Sequence, residues 1–295
     1  MPELPEVETI RRQLEPLLVG ADIVHAWAFP SVKFDQAPLA VGHTITEVAR
    51  RGKYLLMTLV PTGLITPAPP GLMTLGSEPG AHAGRRQLVV HLGMTGRLAV
   101  LHDDTALGEG PTFSHLRARW DLDDGRVLVF DDVRRFGRLA VVEFGQHDEL
   151  PTLAALGPEP WDDAFTPQHL RAEVNSRRRA VKTLLLSQRV VAGVGNIYAD
   201  EALWRAGVHP GARRLTVAQS ERLRDTVRDV LQAGVDNGGT TLRNYRDAEG
   251  GSGTNQRHLD CYGRYGEPCA RCGETLRRSV IDARTTSFCP SCQRK

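Results

Sequence analysis

The chain has 295 residues, 41% of them hydrophobic and 24% charged, and its formal net charge is +2. This composition is typical of a globular protein with a real core and excludes a fibrous or disordered chain, and the length allows two domains and a smaller module. We find no signal peptide and no apolar run long enough to cross a bilayer, so we expect a cytoplasmic protein without membrane contact.

The chain opens with Met1-Pro2-Glu3-Leu4-Pro5-Glu6. Removal of Met1 leaves Pro2 with a free secondary amine, which can attack an aldehyde and form an iminium ion. An α-amino group has a pKa of about 7.7–8.0, so much more of it is unprotonated at neutral pH than of a lysine amine. Glu3 stands beside it as a candidate proton carrier. The alternative interpretation is an ordinary frayed terminus.

A helix is predicted directly after this terminus. Pro5 suits the first turn of a helix, and Gly20 ends it. Apolar residues repeat between them at helical spacing: Val7, Ile10, Leu14 and Leu17. Such a helix packs the start of the chain onto a core, which argues against fraying.

From residue 23 to residue 144 the pattern favours strands. Apolar, β-favouring runs cover residues 54–60, 87–92 and 139–144. Residues 120–122 and 127–130 flank Asp124-Gly125, which predicts a tight hairpin. Residues 61–84 are rich in proline and glycine without periodicity, so we interpret them as a flexible surface insertion.

Helical patterns follow from residue 151 onward. The pattern predicts three helices with end signals: residues 176–187; Asn196 as N-cap to Gly207; and the Thr216/Gln219 capping box to Gly238-Gly239. A turn containing Gly193 and Gly195 separates the first two.

Four cysteines near the end of the chain form two Cys-x-x-Cys pairs: Cys269, Cys272, Cys289 and Cys292. The sixteen residues between the pairs fall within the spacing of a four-thiolate zinc site and are long enough for a β-hairpin. Tetrahedral thiolate coordination closes the ion to water, so we predict one structural Zn²⁺. Disulfides are the alternative, but nothing else in the sequence indicates secretion. The fifth cysteine, Cys261, is interpreted as a small buried hydrophobe.

Further motifs occur in order between the opening segment and the cysteines: Arg51-Gly52-Lys53-Tyr54, His91-Leu92-Gly93-Met94-Thr95-Gly96, Asp132-Val133-Arg134-Arg135-Phe136-Gly137, Gly193-Val194-Gly195-Asn196-Ile197-Tyr198, Gly238-Gly239-Thr240-Thr241-Leu242 and Tyr262-Gly263-Arg264. The ordered series resembles the formamidopyrimidine-DNA glycosylase family of bacterial base-excision repair enzymes, from Pro2 to Cys292. The resemblance implies an α+β fold: an N-terminal β-sandwich with an opening helix, a C-terminal helix-two-turns-helix domain and a β-hairpin zinc finger. We expect these domains at residues 1–147, 148–255 and 256–295.

The resemblance also implies a bifunctional DNA glycosylase and abasic-site lyase that excises oxidised purines, chiefly 8-oxoguanine and formamidopyrimidines. Pro2 would attack the sugar C1′, displace the base and form a Schiff base, and β- and δ-elimination would then cut the backbone. Glu3 would assist ring opening and proton transfer. Lys53 would contact the DNA backbone and support the chemistry, and Glu6 would lie near the lesion base.

The implied partner is damaged double-stranded DNA, bound by a monomer associated with the nucleoid. Chemistry on a duplex base requires that the base be flipped out of the stack. The resemblance implies that the gap is filled by three residues: Met94, Arg134 and Phe136. Core packing is the alternative for Met94 and Phe136. Phosphate contacts are implied for His91, Lys182, Asn196 and Arg284, and for Arg264; a structural histidine is the alternative for His91.

This chain departs from the family's sequence pattern in the loop before the zinc module. The family has Gly-Tyr-Phe there, and this chain has Gly253-Thr254-Asn255. Both aromatic residues that help to cap 8-oxoguanine are replaced, which bears on how strongly that base is preferred. The nearest alternative function is that of the endonuclease VIII type, which prefers oxidised pyrimidines; Leu4-Pro5 and Arg134-Arg135-Phe136 favour the purine type. A non-catalytic DNA-binding zinc protein is the second alternative, but binding alone needs no terminal amine.

Overall fold

The computed structural model describes residues 1–64, 84–102, 113–242 and 245–294. The insertion predicted at residues 61–84 lies almost entirely outside these ranges. Within them the chain forms a β lobe, a helical lobe and a C-terminal hairpin, in the predicted order. The limits expected at residues 147 and 255 stay a prediction.

The first helix, α1 (Leu4–Leu18), joins the two lobes. Leu4 is buried in the core of the helical lobe, whereas Val7 and Ile10 are buried in the core of the β lobe. Leu18, rather than the predicted Leu17, completes the buried stripe. The helix therefore fixes the start of the chain at the junction of the two lobes.

In the part of the β lobe that the structure describes there are eight strands: β1 (Asp22–Ala28), β2 (His43–Arg51), β3 (Tyr54–Pro61), β4 (Arg86–His91), β5 (Arg97–Leu101), β6 (Leu116–Leu122), β7 (Val127–Asp131) and β8 (Arg138–Glu143). They follow the order β5-β7-β6-β1-β2-β3-β4-β8, and every neighbouring pair is antiparallel. The hairpin predicted at Asp124-Gly125 is confirmed, since β6 pairs with β7.

The eight strands form two four-stranded halves that face each other across one core. The β1–β2 pairing that links the halves is short, with Asp22 opposite Thr44 and Ile23 opposite His43. Trp120 and Phe130 from one half meet Met57 and Val90 from the other in this core. The apolar alternation of the strands therefore produces the sandwich that was expected.

The helical lobe contains five helices within the described residues: α2 (Pro151–Ala154), α3 (Pro167–Arg177), α4 (Val181–Leu186), α5 (Asn196–Ala206) and α6 (Val217–Asp236). The capping box at Thr216 and Gln219 is confirmed: each side chain accepts a hydrogen bond from the other's backbone amide.

Two helix predictions need correction. The helix expected over residues 176–187 is interrupted, because Arg178 has a φ of +50° and ends α3. The amide of Val181 then donates to Ala212 O at 2.8 Å, so tertiary contacts start α4 afresh. Asn196 is the first residue of α5 and not its N-cap, which is Gly195.

The C-terminal hairpin consists of β9 (Arg277–Ile281) and β10 (Arg284–Phe288), as the spacing between the cysteine pairs predicts. Asp282 and Ala283 at its turn both have positive φ, which closes a tight two-residue hairpin. None of the helices in the described ranges is both long and apolar enough to span a bilayer.

Candidate active site

The start of the chain lies in a cradle whose walls are glycines of the helical lobe. A Cβ on Gly195 would lie 2.1 Å from Glu3 Cδ, and a Cβ on Gly193 would lie 2.5 Å from Leu4 Cβ. The amide of Leu4 donates to Gly193 O at 3.1 Å. We call residues 2–6 with Gly193, Gly195 and Gly239 the N-terminal cradle. The sequence predicts Gly193 and Gly195 as turn residues and Gly239 as part of a helix end; in the structure all three also admit the N-terminal segment.

Glu3 is buried and binds the start of α5. Its carboxylate accepts hydrogen bonds from the amides of Ile197 at 2.9 Å and Tyr198 at 3.4 Å. A helix N-terminus stabilises a carboxylate in this position. The start of α5, where a phosphate contact is implied for Asn196, therefore also fixes a predicted catalytic group.

Glu6 lies beneath Glu3. Its carboxylate accepts the Glu3 amide at 2.7 Å, the Thr240 amide at 2.7 Å and the Tyr198 hydroxyl at 2.8 Å. Burial, and then the negative charge of Glu3, raises the pKa of Glu6 to about 7. A group that titrates near neutrality is suited to hold or release a proton next to a reacting centre.

Pro2 is buried beneath Met1, which lines a cleft between the lobes. Burial lowers the pKa of the Met1 amine from its usual value of 8.0; Glu3 and Glu6 oppose this shift, and Lys53 and Arg284 reinforce it. Because the Pro2 nitrogen is bonded to Met1, removal of Met1 uncovers that nitrogen at the wall of the same cleft.

Lys53 lies on the turn between β2 and β3 and is buried. Burial lowers the pKa of its amine; Glu3 and Glu6 oppose the shift, and Arg284 adds to it. A Cβ on Gly52 would lie 3.1 Å from Leu156 Cδ1, so this turn of the β lobe touches the helical lobe. The three residues predicted to be catalytic thus come together although Lys53 is about fifty positions from the other two.

The cleft has a volume of about 610 Å³. Its described lining includes four cationic side chains and no acidic one: Lys33, Lys53, Arg138 and Arg189. Such a surface favours a polyanion. Sequence reasoning missed Arg138 and Arg189, because a single arginine at the start of a strand or in a loop carries no spacing signal.

His91 lies in the same lining, against the ring of Tyr54 with centroids 4.8 Å apart. Burial, followed by the charges of Lys53 and Arg138, lowers its pKa to about 4, so the imidazole is neutral. Its Nδ1 accepts the Gly93 amide at 3.2 Å, which leaves Nε2 as an N–H donor. A neutral donor at a cationic wall suits a phosphate oxygen.

Two loops at the mouth of the β lobe, residues 93–96 and 133–137, carry Met94, Arg134 and Phe136; we call them the wedge loops. Phe136 is 50% exposed, and the Arg134 guanidinium lies 4.6 Å from its ring centre. Met94 is half-buried. Core packing, the alternative for Phe136, does not describe this position.

Buried Asp132 holds the wedge loops together, and sequence reasoning missed it. Its carboxylate accepts the Thr95 hydroxyl at 2.5 Å from one loop and the Gly137 amide at 2.7 Å from the other. The amide of Arg134 also donates to it, at 3.2 Å. The Asp-Val-Arg-Arg-Phe-Gly motif therefore contains both the exposed Arg134 and Phe136 side chains and the buried Asp132 that fixes their backbone.

Lys182 is fully buried, which separates it from the other predicted phosphate-binding residues. Its amine is paired with Asp200 at 2.6 Å and donates to Thr286 Oγ1 at 2.9 Å, so it fastens β10 to the helical lobe. Asn196 Nδ2 donates to Thr285 O at 3.1 Å. Arg284 is exposed on the same strand and lies close enough to lower the pKa of Lys53.

The four predicted zinc ligands converge, with their Sγ atoms all within 4.8 Å of one another. Individual Sγ–Sγ distances of 3.5 to 4.0 Å match the separation of about 3.8 Å in a tetrahedron with 2.3 Å Zn–S bonds. The Trp204 indole donates to Cys269 Sγ at 3.4 Å, which secures the site to α5. These thiolates hold one structural Zn²⁺, and Cys261 is fully buried beside them as predicted.

The loop that departs from the family pattern is held by hydrogen bonds. Asn255 is buried and donates to Thr240 Oγ1 at 2.9 Å, and Thr240 in turn bonds the Tyr198 hydroxyl at 3.0 Å. The Thr254 side chain stays exposed and donates to Asn237 O at 3.2 Å. Thr254 therefore remains accessible to a base, whereas the Asn255 side chain is engaged within the protein.

The fold and the cleft define a two-lobed zinc protein whose N-terminal segment lies at the cleft, and comparison with known proteins gives its family. Three family models match: formamidopyrimidine-DNA glycosylase N-terminal domain over residues 1–139, formamidopyrimidine-DNA glycosylase H2TH domain over residues 156–246, and zinc finger found in FPG and IleRS over residues 266–294.

Similar proteins cover the whole chain. The formamidopyrimidine-DNA glycosylase of Deinococcus radiodurans is 42% identical over 99% of this chain and 97% of its own. The crystal structure of the MutM (Fpg) protein from Thermus thermophilus has a TM-score of 0.82 and 42% identity, covering 99% of this chain and 98% of that one. A complex of Lactococcus lactis Fpg with DNA containing an abasic site has a TM-score of 0.81 and 32% identity, covering 99% of this chain and 100% of that one. The chain belongs to the formamidopyrimidine-DNA glycosylase family.

Proposed function

We infer that this protein is a DNA glycosylase for oxidised purines in base-excision repair, and that it also cleaves the resulting abasic site. One observation carries the inference: a terminal nitrogen, a fixed carboxylate and a buried lysine meet at the wall of a cleft lined by cations. The cleft supplies the charge that holds a DNA backbone, and the N-terminal cradle supplies the nucleophile.

In the first step the Pro2 nitrogen, freed of Met1, attacks C1′ of the damaged nucleotide. The C1′–N9 bond breaks, the base leaves with its electron pair and takes a proton from solvent, and Glu3 accepts the proton that the Pro2 nitrogen loses. Glu3 then gives a proton to the ring oxygen O4′ as the sugar opens and the C1′–nitrogen iminium forms. Lys53 would contact the DNA backbone beside the reacting sugar. Successive loss of the 3′ and 5′ phosphates by β- and δ-elimination cuts the strand, and water releases Pro2.

The remaining predicted residues would hold the duplex open. Met94, Arg134 and Phe136 on the wedge loops would enter the space left by the flipped base, as apolar wedges and arginine do in other proteins that open the base stack. His91, Asn196 and Arg284 would bind phosphates, together with Arg138 and Arg189 of the cleft. Lys182 would act indirectly, by holding the strand that carries Arg284.

The structural zinc would stabilise the hairpin without taking part in the chemistry. We propose that the protein works as a monomer, since residues of both lobes of one chain line the cleft. The three domains would span residues 1–147, 148–255 and 256–295.

Borohydride trapping on DNA with an abasic site tests the mechanism, because reduction converts the iminium into a stable covalent adduct. We expect an adduct with the protein that starts at Pro2, and none with Pro2→Gly or with a preparation in which mass spectrometry finds Met1. A Pro2→Gly protein that traps as well as the wild type would contradict the assignment. Specific DNA binding without any trapping would indicate the non-catalytic alternative.

Substrate class is tested with duplexes that contain 8-oxoguanine or thymine glycol. We expect faster release of 8-oxoguanine under single-turnover conditions. Faster release of thymine glycol would assign the protein to the pyrimidine-specific type.

A further inference from the structure

Glu159, in the segment between α2 and α3, binds the turn that carries Lys53. Its Oε1 accepts the Gly52 amide at 2.6 Å and the Arg51 guanidinium at 2.9 Å. Its Oε2 accepts the Arg50 guanidinium at 2.7 Å. The Glu159 side chain is only 15% exposed, so these are charge-assisted bonds with little solvent screening.

The same group of charges reaches α1. Arg50 Nε donates to Glu8 Oε2 at 3.1 Å, and Glu8 lies on the helix that begins immediately after Glu3. Glu8 also pairs with Arg11 and Arg12 on its own helix. Two carboxylates and two guanidiniums link the lobes here: Glu8, Glu159, Arg50 and Arg51. We call these four residues the interlobe clamp. Removal of one member of a partly buried charge network leaves the others without compensation.

The backbone around Glu159 is tied to the wall of the N-terminal cradle. The Gly157 amide donates to Gln188 O at 2.8 Å, and the Ala192 amide donates to Pro158 O at 2.9 Å. Gly193, directly after Ala192, contacts Leu4. One short segment thus anchors both the turn with Lys53 and the cradle with Glu3.

We propose that Glu159 is a positioning residue, whose carboxylate sets the distance of Lys53 from Glu3 and the terminal nitrogen across the junction of the lobes. This rests on the proposed function. Gly52, which Glu159 binds directly, is adjacent to Lys53 in the chain, so a displaced turn displaces the lysine. Catalytic groups on separate elements need such a support, because a shift of about 1 Å is enough to lower a rate on the order of a hundredfold.

Glu159→Gln tests the proposal. Glutamine has the same shape and keeps an oxygen for the Gly52 amide, but it loses the charge and places an amide N–H₂ against a guanidinium. Lys53→Ala is expected to slow base release more than lyase activity on a preformed abasic site. We expect Glu159→Gln to show the same selectivity, with 8-oxoguanine release about tenfold slower. The equilibrium constant for binding a stable abasic analogue should change by only a few-fold, because the displaced Lys53 is one of several proposed backbone contacts and no clamp residue contacts DNA itself.

The double variant Lys53→Ala/Glu159→Gln separates positioning from a general structural effect. If Glu159 acts through Lys53, the double variant releases 8-oxoguanine no more slowly than Lys53→Ala alone. The proposal would be overturned if the slowing of base release in the double variant equalled the product of the two single effects. It would also be overturned if Glu159→Gln slowed base release and lyase activity equally. Glu143→Gln, which removes a comparable carboxylate paired with Arg86 at the surface, is the matched control and should match the wild type. A wild-type protein that releases no 8-oxoguanine would refute the function, whereas an active wild type with an unaffected Glu159→Gln would refute only the clamp.

Discussion

The N-terminal cradle and the wedge loops both serve the cleft, but they are built in opposite ways. In the cradle Glu3 is 3% exposed and Glu6 is 1% exposed, and glycines press against the segment. On the wedge loops Phe136 is 50% exposed, and a single carboxylate, Asp132, organises the backbone. The groups proposed to react are therefore held in place without DNA, while Phe136, proposed to separate bases, is exposed to solvent.

The largest effect is expected from Gly195→Ala, which tests whether the N-terminal cradle must be tight around Glu3. The new Cβ would lie 2.1 Å from Glu3 Cδ, so the carboxylate must leave the amides of α5. We expect 8-oxoguanine release to fall at least about a hundredfold and the free energy of unfolding to fall by about 1–3 kcal/mol. Single-turnover rates and denaturant unfolding measure the two effects. A fully active Gly195→Ala would mean that the cradle is not tight.

A second prediction uses the titration of Glu6. Its pKa in the folded protein is about 7, raised from the ordinary value of 4.5. Between these values the folded state holds a proton that the unfolded chain has lost, so stability falls as the pH rises through this window and levels off above it. Glu6→Gln removes the titration and should gain stability relative to the wild type across the window, by on the order of 3 kcal/mol. Parallel stability curves for the two proteins, measured by urea unfolding from about pH 5 to pH 8, would disprove the shift.

Asp132→Asn tests the wedge loops, whose backbone Asp132 holds in place. Asparagine has one acceptor oxygen where the carboxylate has two, so the Thr95 hydroxyl or the Gly137 amide loses its partner. We expect release of 8-oxoguanine to slow by about tenfold, with a smaller loss on a preformed abasic site, which is easier to extrude. Asp121→Asn, at a partly exposed ion pair on β6, is the control. Equal losses on both substrates would show that the wedge loops do not act in base flipping.

The smallest effect is expected from the zinc hairpin. Cys292→Ser should release zinc and loosen β10, so that one phosphate contact, that of Arg284, is lost. The dependence of DNA affinity on salt should then weaken by about one phosphate equivalent, with a few-fold loss in affinity. Zinc content and binding isotherms at several salt concentrations measure this. Unchanged affinity after loss of zinc would make the hairpin dispensable for binding.

Much of this molecule could be predicted from the sequence, because its signals are local. Pro5 and the apolar period give α1, Asp124-Gly125 gives a hairpin, and the cysteine spacing gives the zinc site. The break at Arg178 could not be predicted, because no glycine or proline marks it and the contact of Val181 with Ala212 starts the next helix.

In the candidate active site, too, local motifs could be predicted from the sequence and tertiary contacts could not. Pro2, Glu3 and Lys53 were predicted through motifs, but the burial of Lys182 was not, since only the tertiary fold brings Asp200 and Thr286 to its amine. Asp132 and Glu159 were missed for the same reason. Each acts through backbone amides or distant arginines, which leave no spacing pattern in the sequence.

The position of Met1 in the cleft has a practical consequence for making this protein. An affinity tag or fusion partner placed ahead of Met1 would have to run out through the cleft, and it would keep the Pro2 nitrogen bonded to Met1 as an amide. Expression with a fully processed N-terminus, and with any tag attached after Lys295 through a spacer that spares Cys292, avoids both problems. A recombinant sample that fails to cut DNA should therefore be checked by mass spectrometry for retained Met1 before the loss of activity is attributed to any substitution.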